Sequence, residues 1–332
     1  MQALVTGATG FVGAHVARAL VERGARVRCL ARSAARRDLL EGLAVDVAEG
    51  DLTDEASLRR AMAGIDTVFH CAADYRLYVP DPASMYATNV DGTRNVLAAA
   101  ATAGVGRVVY TSTVGAIRPG PRGRPSDETT PTRLTDMIGH YKKSKYLAER
   151  VAEDWAGRGS WVVIVSPSTP VGEGDLKPTA TGQMIVDFLG GRIGAFVDTG
   201  LNLIDVRDVA VGHVLAAERG RPGERYVLGN ENLTLEELLG RLAAIAGVPA
   251  PRLRLPHWVP LAFSALDTWG SRLVGRRPRV ALDAVRMSRH RMFFASAKAV
   301  RELGLPQSPV DDALRRAVDW FRLHGYVRNR AA

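Results

Sequence analysis

The chain has 332 residues, 46% hydrophobic and 24% charged, with a formal net charge of +9. This is a globular composition, long enough for one large or two modest domains, and it excludes disordered and fibrous classes. Cys29 and Cys71 are the two cysteines, both in apolar, strand-like runs, and no Cys/His cluster has metal-ligand spacing. Buried thiols are expected, with no disulfide framework and no metal site.

The charge is uneven. Residues 250–332 hold 16 Lys/Arg against 6 Asp/Glu, and residues 1–249 hold 28 against 29. The basic character therefore belongs to the C-terminal part. It suits a solvated Arg-rich surface, an anionic substrate or an anionic membrane.

The elements alternate. An apolar strand over 2–6 precedes a helix with Val12, Val16, Leu20 and Val21 on one face. Strands follow at Arg26–Ala31 and Leu43–Glu49, then a helix near 54–63 and a strand at 67–71. A long helix from about Met85 to Ala103 leads to strand Arg107–Ser112. Residues 115–139 are rich in Pro, Gly, Asp and Thr and read as a loop. A helix around Tyr141–Ala156 and strand Trp161–Val165 complete the series. Strands alternating with helices predict an α/β fold, a Rossmann-type doubly wound parallel sheet with ligands at the carboxyl ends of its strands. A helix is expected near 181–190, and the tail from about 233 reads as mostly helical, with breaks at Gly247–Pro251 and Pro278. The expected division is a dinucleotide-binding domain over 1–166, joined again by 205–230, and a mostly helical substrate lobe from 167–204 and 231–332.

The chain begins on a strand and no apolar run reaches the roughly 18 residues of a membrane span, so a cytoplasmic enzyme without a leader is expected. No nucleic-acid module or aromatic platform is present.

Gly7, Gly10 and Gly13 form G-x-x-G-x-x-G between a strand and a helix. Glycines there permit a tight turn and close backbone approach to a pyrophosphate, which the helix N-terminus attracts. The second strand ends in Arg28-Cys29-Leu30-Ala31-Arg32-Ser33, with Arg36 and Arg37 beyond and no acid before Asp38. An NAD site usually places an acid at this point, whereas Arg32 can pair with a 2′-phosphate and stack on adenine. NADP(H) is therefore expected over NAD(H), with Arg36 as a second ligand or part of a solvated helix face. Asp51-Leu52 lies either at the adenine edge or near the N-cap of the next helix. Ala72 and Ala73 offer small side chains where backbone approaches the cofactor.

Tyr141 and Lys145 are four residues apart, on one face of a helix. An ammonium so placed can lower the pKa of a phenol, as a proton donor for hydride transfer needs.

Together these segments resemble the extended short-chain dehydrogenase/reductase (NAD-dependent epimerase/dehydratase) family. Its signature positions are matched by Thr6–Gly13, Asp51-Leu52, His70–Ala73, Asn89–Thr93, Thr111–Thr113, Tyr141–Lys145 and Pro167–Gly172. The branch most resembled is that of the dihydroflavonol-4-reductase-like proteins, and within it the hopanoid-associated sugar epimerases, through Tyr141–Lys145, Ser166–Pro178 and Val197–Leu203. The resemblance implies Tyr141 as acid/base, Lys145 as its electrostatic partner and ribose ligand, and Thr113 as the third catalytic hydroxyl, with Ser112 as the alternative. It implies cofactor contacts at Gly7, Thr9, Gly10, Phe11, Val12, Gly13, Thr111 and Pro167, and at Asn89 either a nicotinamide-side role or a local backbone network. Substrate contacts fall to Asp74, Tyr75, Tyr78, Ser168 and Lys177, although the tyrosines can equally be packing residues and Lys177 a surface charge. No Glu beside the triad points to a dehydratase.

The expected activity is reduction or oxidation at a carbonyl/alcohol in hopanoid-linked metabolism, with a sugar or nucleotide-sugar epimerase as the alternative. A non-catalytic dinucleotide sensor is disfavoured because both Tyr141 and Lys145 are kept. The family also implies a homodimer through helices 85–103 and 141–156. Segment 255–279, with Trp258, Val259, Leu261, Phe263, Leu266 and Trp269 ahead of Arg272, Arg276, Arg277 and Arg279, reads in two ways. It is a helix packed over the substrate cleft, the favoured reading, or an amphipathic element on an anionic membrane beside a lipid-linked substrate.

Overall fold

Strands buried along their whole length demand cover on both faces, and the sheet that forms has it. A computed structural model describes residues 1–33, 38–77, 79, 81–273 and 282–327, without the side chains of Arg122, Trp269, Arg272 and Leu273. Arg36, Arg37, Tyr78, Arg276, Arg277, Pro278 and Arg279 lie outside the described residues.

The first half runs β1 (Gln2–Thr6), α1 (Phe11–Glu22), β2 (Arg26–Ala31), β3 (Val45–Glu49), α2 (Glu55–Met62), β4 (Thr67–His70), α3 (Ala83–Tyr86), α4 (Gly92–Thr102), β5 (Arg107–Thr111), α5 (Gly139–Gly157) and β6 (Val162–Pro167). It continues through β7 (Thr169–Val171), α6 (Ala180–Leu189), β8 (Ala195–Val197), β9 (Gly200–Asp205), α7 (Val206–Arg219), β10 (Arg225–Leu228), β11 (Glu231–Thr234) and α8 (Leu235–Ala246). The tail contains β12 (Leu253–Leu255), α9 (Trp258–Leu273), α10 (Leu282–Met287), β13 (Arg291–Met292), α11 (Ala297–Leu303) and α12 (Val310–Leu323).

Seven parallel strands order as β10-β6-β5-β4-β1-β2-β3. Chain order reverses between β1 and β4, the crevice where open α/β sheets bind ligands. β4 and β6 are buried throughout, as apolar strands between helical layers must be. On one face α1 and α7 bring Val16, Leu20, Val209 and Val214 onto the sheet. On the other, Leu58, Met62, Val96, Leu97, Ala148 and Ala152 come from α2, α4 and α5. A separate core of Ile185, Phe188, Leu238, Leu242, Leu314 and Phe321 joins α6, α8 and α12.

The single helix expected over 85–103 is interrupted. Residues Ala87–Asp91 widen into a π-turn between α3 and α4. Widened turns of this kind commonly aim a side chain at a site, and this one carries Asn89. Gly92 follows because a Cβ there would come within 2.9 Å of Leu52.

Candidate active site at the carboxyl edge of the sheet

The glycine turn comes first because its geometry is the most constrained. Gly7 has φ +72°, and a Cβ on it would lie 2.7 Å from the Ala72 backbone. A Cβ on Gly13 would lie 2.2 Å from the Gly7 carbonyl oxygen. The Gly10 amide donates to that same carbonyl at 2.9 Å. Gly10 caps α1 without a side-chain acceptor, so the amides of Phe11, Val12 and Gly13 keep no internal partner at a positive helix end. Thr9 is exposed at the rim of the turn and Ala73 is half-buried beside Ala72. A pyrophosphate fits this cradle, and larger side chains would fill it.

At the next two strand ends, Arg32 is exposed and its charge is felt by two carboxylates. The Thr53 hydroxyl, with Arg32 adding to it, holds Asp51 below its ordinary pKa. Asp51 accepts from the Thr53 amide at 2.9 Å and hydroxyl at 2.7 Å, while Asp54 caps α2. Asp51 is thus not the helix cap; it closes a turn beside Arg32. Burial pushes Asp74 up, but Arg76, bonded at 2.9 Å through Nε, outweighs it, and Asp74 ends below its ordinary value. Leu52 is buried, and its carbonyl accepts from Asn95 Nδ2 at 2.9 Å.

The end of β5 supplies three hydroxyls with three employments. Thr111 Oγ1 donates to His213 Nε2 at 2.9 Å, since His213 Nδ1 itself donates to the Val209 carbonyl at 2.7 Å. Burial holds His213 neutral, its pKa down to about 4. Ser112 is buried and donates to Glu149. Thr113 is half-buried, accepts from the Gly115 amide at 3.0 Å, and its hydroxyl meets the Tyr141 phenol. Tyr141 therefore faces Thr113, and the alternative hydroxyl is committed to a carboxylate.

Burial raises the Tyr141 pKa and the Thr113 hydroxyl opposes it. Lys145 Nζ donates to the Tyr110 hydroxyl at 2.9 Å and the Thr111 carbonyl at 2.7 Å, lying over the Tyr110 ring. Burial lowers its pKa to about 8, with the Glu149 charge working against that. The expected lowering of the phenol by the ammonium is not what this arrangement gives. Lys145 is anchored to the strand below, and the phenol stays protonated near neutral pH.

Beneath the pair runs a buried polar chain. His70 contacts Thr6 Oγ1 at 2.7 Å and Thr93 Oγ1 at 3.1 Å, and Thr93 donates to the Asn89 carbonyl at 2.7 Å. Asn89 accepts from the Asp74 amide at 2.7 Å and donates at 2.9 Å to the Asp74 carbonyl and to Ser144 Oγ. Asn89 thus serves a backbone network that joins the β4 loop to α5.

Tyr75 is exposed, and its hydroxyl donates to the Lys177 carbonyl at 3.3 Å, so these two candidate substrate segments meet. The Lys177 side chain is exposed. Pro167 is buried at the end of β6, and the Ser168 hydroxyl beside it is buried without a partner. Cys29 is buried and Cys71 half-buried as a residue, and burial pushes the pKa of the Cys71 thiol up; both thiols are free. In segment 255–279, Trp258, Phe263 and Leu266 are exposed while Ser264, Asp267 and Ser271 are buried.

Sequence reasoning missed Tyr110, Glu149 and Lys142. Glu149 is buried and bonds Ser112, Arg150 and Arg225. Its position four residues after Lys145 was a readable signal. Lys142 is buried against Met292 Sδ at 3.8 Å, and burial lowers its pKa to about 8. Among the described residues no group of His, Cys, Asp or Glu could hold a metal, and no helix is long and apolar enough to cross a membrane.

Residues 3–229 match the family model described as the NAD dependent epimerase/dehydratase family. The chain belongs to that family. Its members are NAD(P)-dependent reductases, dehydratases and epimerases, and this chain is an enzyme of that type. It is 48% identical over 330 residues to a Synechocystis protein provisionally named as a dihydroflavonol 4-reductase, covering 98% of this chain and 96% of that one. It is 36% identical over 329 residues to sterol demethylase protein B of Methylococcus capsulatus, covering 98% and 100%. The crystal structure of a nucleoside-diphosphate-sugar epimerase from Pseudomonas aeruginosa superposes with a TM-score of 0.83 at 30% identity, covering 99% of both chains.

Proposed function

We propose that the protein is an NADP(H)-dependent oxidoreductase that reduces a carbonyl, or oxidises the matching alcohol, on an apolar, lipid-like molecule. The observation that carries the reading is the meeting of the Tyr141 phenol with Thr113 beside Lys145, at the strand ends next to the glycine turn. A bound nicotinamide supplies or receives hydride. Thr113 and Tyr141 hold the substrate oxygen by hydrogen bonds, and Tyr141 Oη gives or takes the proton. Lys145, held by the Tyr110 hydroxyl and the Thr111 carbonyl, would serve as a ribose ligand. The Gly7–Gly13 turn and the α1 amides hold the pyrophosphate, and Arg32 meets the 2′-phosphate. The charges of Asp51 and Asp74 nearby limit how strongly Arg32 attracts an anion. Asp74, Tyr75, Ser168 and Lys177 line the way to the lobe formed by 167–204 and 231–332.

The lipid-like substrate is supported by the relative named for sterol demethylation. The hopanoid link expected from the resemblance belongs to the same chemical class. A homodimer through α4 and α5, and contact with a membrane surface, complete the reading.

The test is hydride transfer from NADPH to a panel of sterol-like and isoprenoid ketones, read by absorbance at saturating cofactor. Tyr141→Phe should lower turnover about 10²–10⁴-fold with NADPH affinity kept. Full activity in that variant would remove Tyr141 from its role. Calorimetry should give tighter binding of NADP than NAD, lost in Arg32→Ala.

A second reading, a sugar or nucleotide-sugar epimerase, is favoured by the structural likeness at 30% identity. An epimerase retains its cofactor through the cycle, so nicotinamide that survives purification, with redox-neutral products by mass spectrometry, would select it.

A further inference from the structure

Helix α9 is inside out. Ser264, Asp267 and Ser271 share one helical face and are 0%, 9% and 1% exposed. On the other side Trp258, Phe263 and Leu266 are 68%, 52% and 70% exposed, and Leu253 just before the helix is 59% exposed. A helix on a water-facing surface turns its apolar stripe inward; this one turns it outward. The arrangement is anchored. His257 Nε2 meets the Asp198 carbonyl at 3.0 Å, and β12 pairs with β8. Exposed large apolar residues grouped in this way mark an interaction surface.

Two observations choose the occupant. The exposed apolar residues are bracketed by exposed arginines, Arg252 and Arg254 before the helix and Arg286 and Arg289 after it, of which Arg254 pairs with Asp198 and Arg286 with Asp283, and residues 250–332, which include this segment, hold the charge excess of the chain. Apolar side chains with a cationic border complement an anionic lipid surface. The second observation is the place of the helix. Helix α10 packs on α9 and presents Asp283 to Gly139, where a Cβ would come within 2.8 Å of its carboxylate. Gly139 opens the helix that carries Tyr141. The outward face therefore belongs to the helix on which α10, the neighbour of the start of α5, packs.

We propose that α9, through Trp258, Phe263 and Leu266 with Leu253 beside them, seats the enzyme on an anionic lipid surface, from which an apolar substrate reaches the site under α10. The membrane contact extends the reading of a lipid-like substrate, but it is measured without turnover, so either can fail alone.

The full chain is sedimented with phosphatidylglycerol vesicles and with phosphatidylcholine vesicles, at low and physiological salt. The expected result is binding to phosphatidylglycerol that weakens with salt and is at least tenfold weaker in the double variant Phe263→Asp/Leu266→Asp. An NADPH titration unchanged in that variant shows that the fold is intact. No sedimentation with phosphatidylglycerol at low salt overturns the proposal, as does equal binding by the variant. Light scattering behind a sizing column supplies the other control. A dimer that the double variant turns into monomer would assign this face to a second copy of the chain and overturn the lipid surface.

Discussion

Lys145 donates to the Tyr110 hydroxyl across 2.9 Å, so the ammonium one helical turn after the proposed acid/base is held by a tyrosine of the central sheet. Tyr110 is buried and also meets Thr93, which links Lys145 to the His70–Asn89 chain. The Lys145 pKa is depressed to about 8 by burial. If the protonated lysine is required, activity falls as pH rises through that value. Removing the Tyr110 acceptor withdraws support from the charged form, so in Tyr110→Phe this alkaline limb should move to lower pH, by roughly half a unit to one unit. The profile of kcat/KM against pH measures it. An unmoved limb would mean that Tyr110 does not set the charge on Lys145.

Gly13→Ala should cost the protein its cofactor before it costs the fold. The added methyl would sit 2.2 Å from the Gly7 carbonyl, and relief requires the turn to open and the α1 amides to lose their aim. NADPH affinity should fall about 100-fold, equivalent to some 2.7 kcal/mol, while the far-ultraviolet circular dichroism spectrum is kept. Wild-type affinity in a folded variant would show that the turn does not cradle the pyrophosphate.

Lys142→Met should stabilise the protein, and in a pH-dependent way. Burial depresses the Lys142 pKa from 10.5 to about 8. Between those values the unfolded chain holds a proton that the native chain has released, so this group's contribution to stability rises with pH. Its cost is fully present below about 8 and is gone above 10.5. Methionine has similar length and would lie beside Met292 without that cost. The advantage over wild type should be on the order of 3 kcal/mol at pH 7 and should shrink markedly by pH 9.5. Urea unfolding at the two pH values gives the comparison, and an equal gain at both would rule out the titration.

The parts of the fold that depend on local chemistry were readable. Apolar runs of strand length between turn residues predict all the strands of the large sheet up to β6, and the glycines at 7, 10 and 13 predict the first turn. The parts that depend on distant partners were not. Nothing in the local pattern around Asn89 reveals a π-turn, because its cause is the reach to Asp74 and Ser144. Arg32 reads as a free cation until the fold brings Asp51 and Asp74 near it. The amphipathic pattern of α9 was visible, but periodicity shows only that a helix has two faces. Which one meets solvent is decided by the surfaces around it, and here it is the apolar one.

The position of β10 has a consequence for how this chain is made. The sheet grows from β1 to β6 in the order in which the strands leave the ribosome, yet the neighbour of β6 is β10, which emerges only after β7, α6, β8, β9 and α7. Until then β6 is an open, largely apolar edge, the kind of surface that invites pairing with another nascent chain. Synthesis rate over residues 168–224 should therefore govern how much of the protein reaches the soluble fraction.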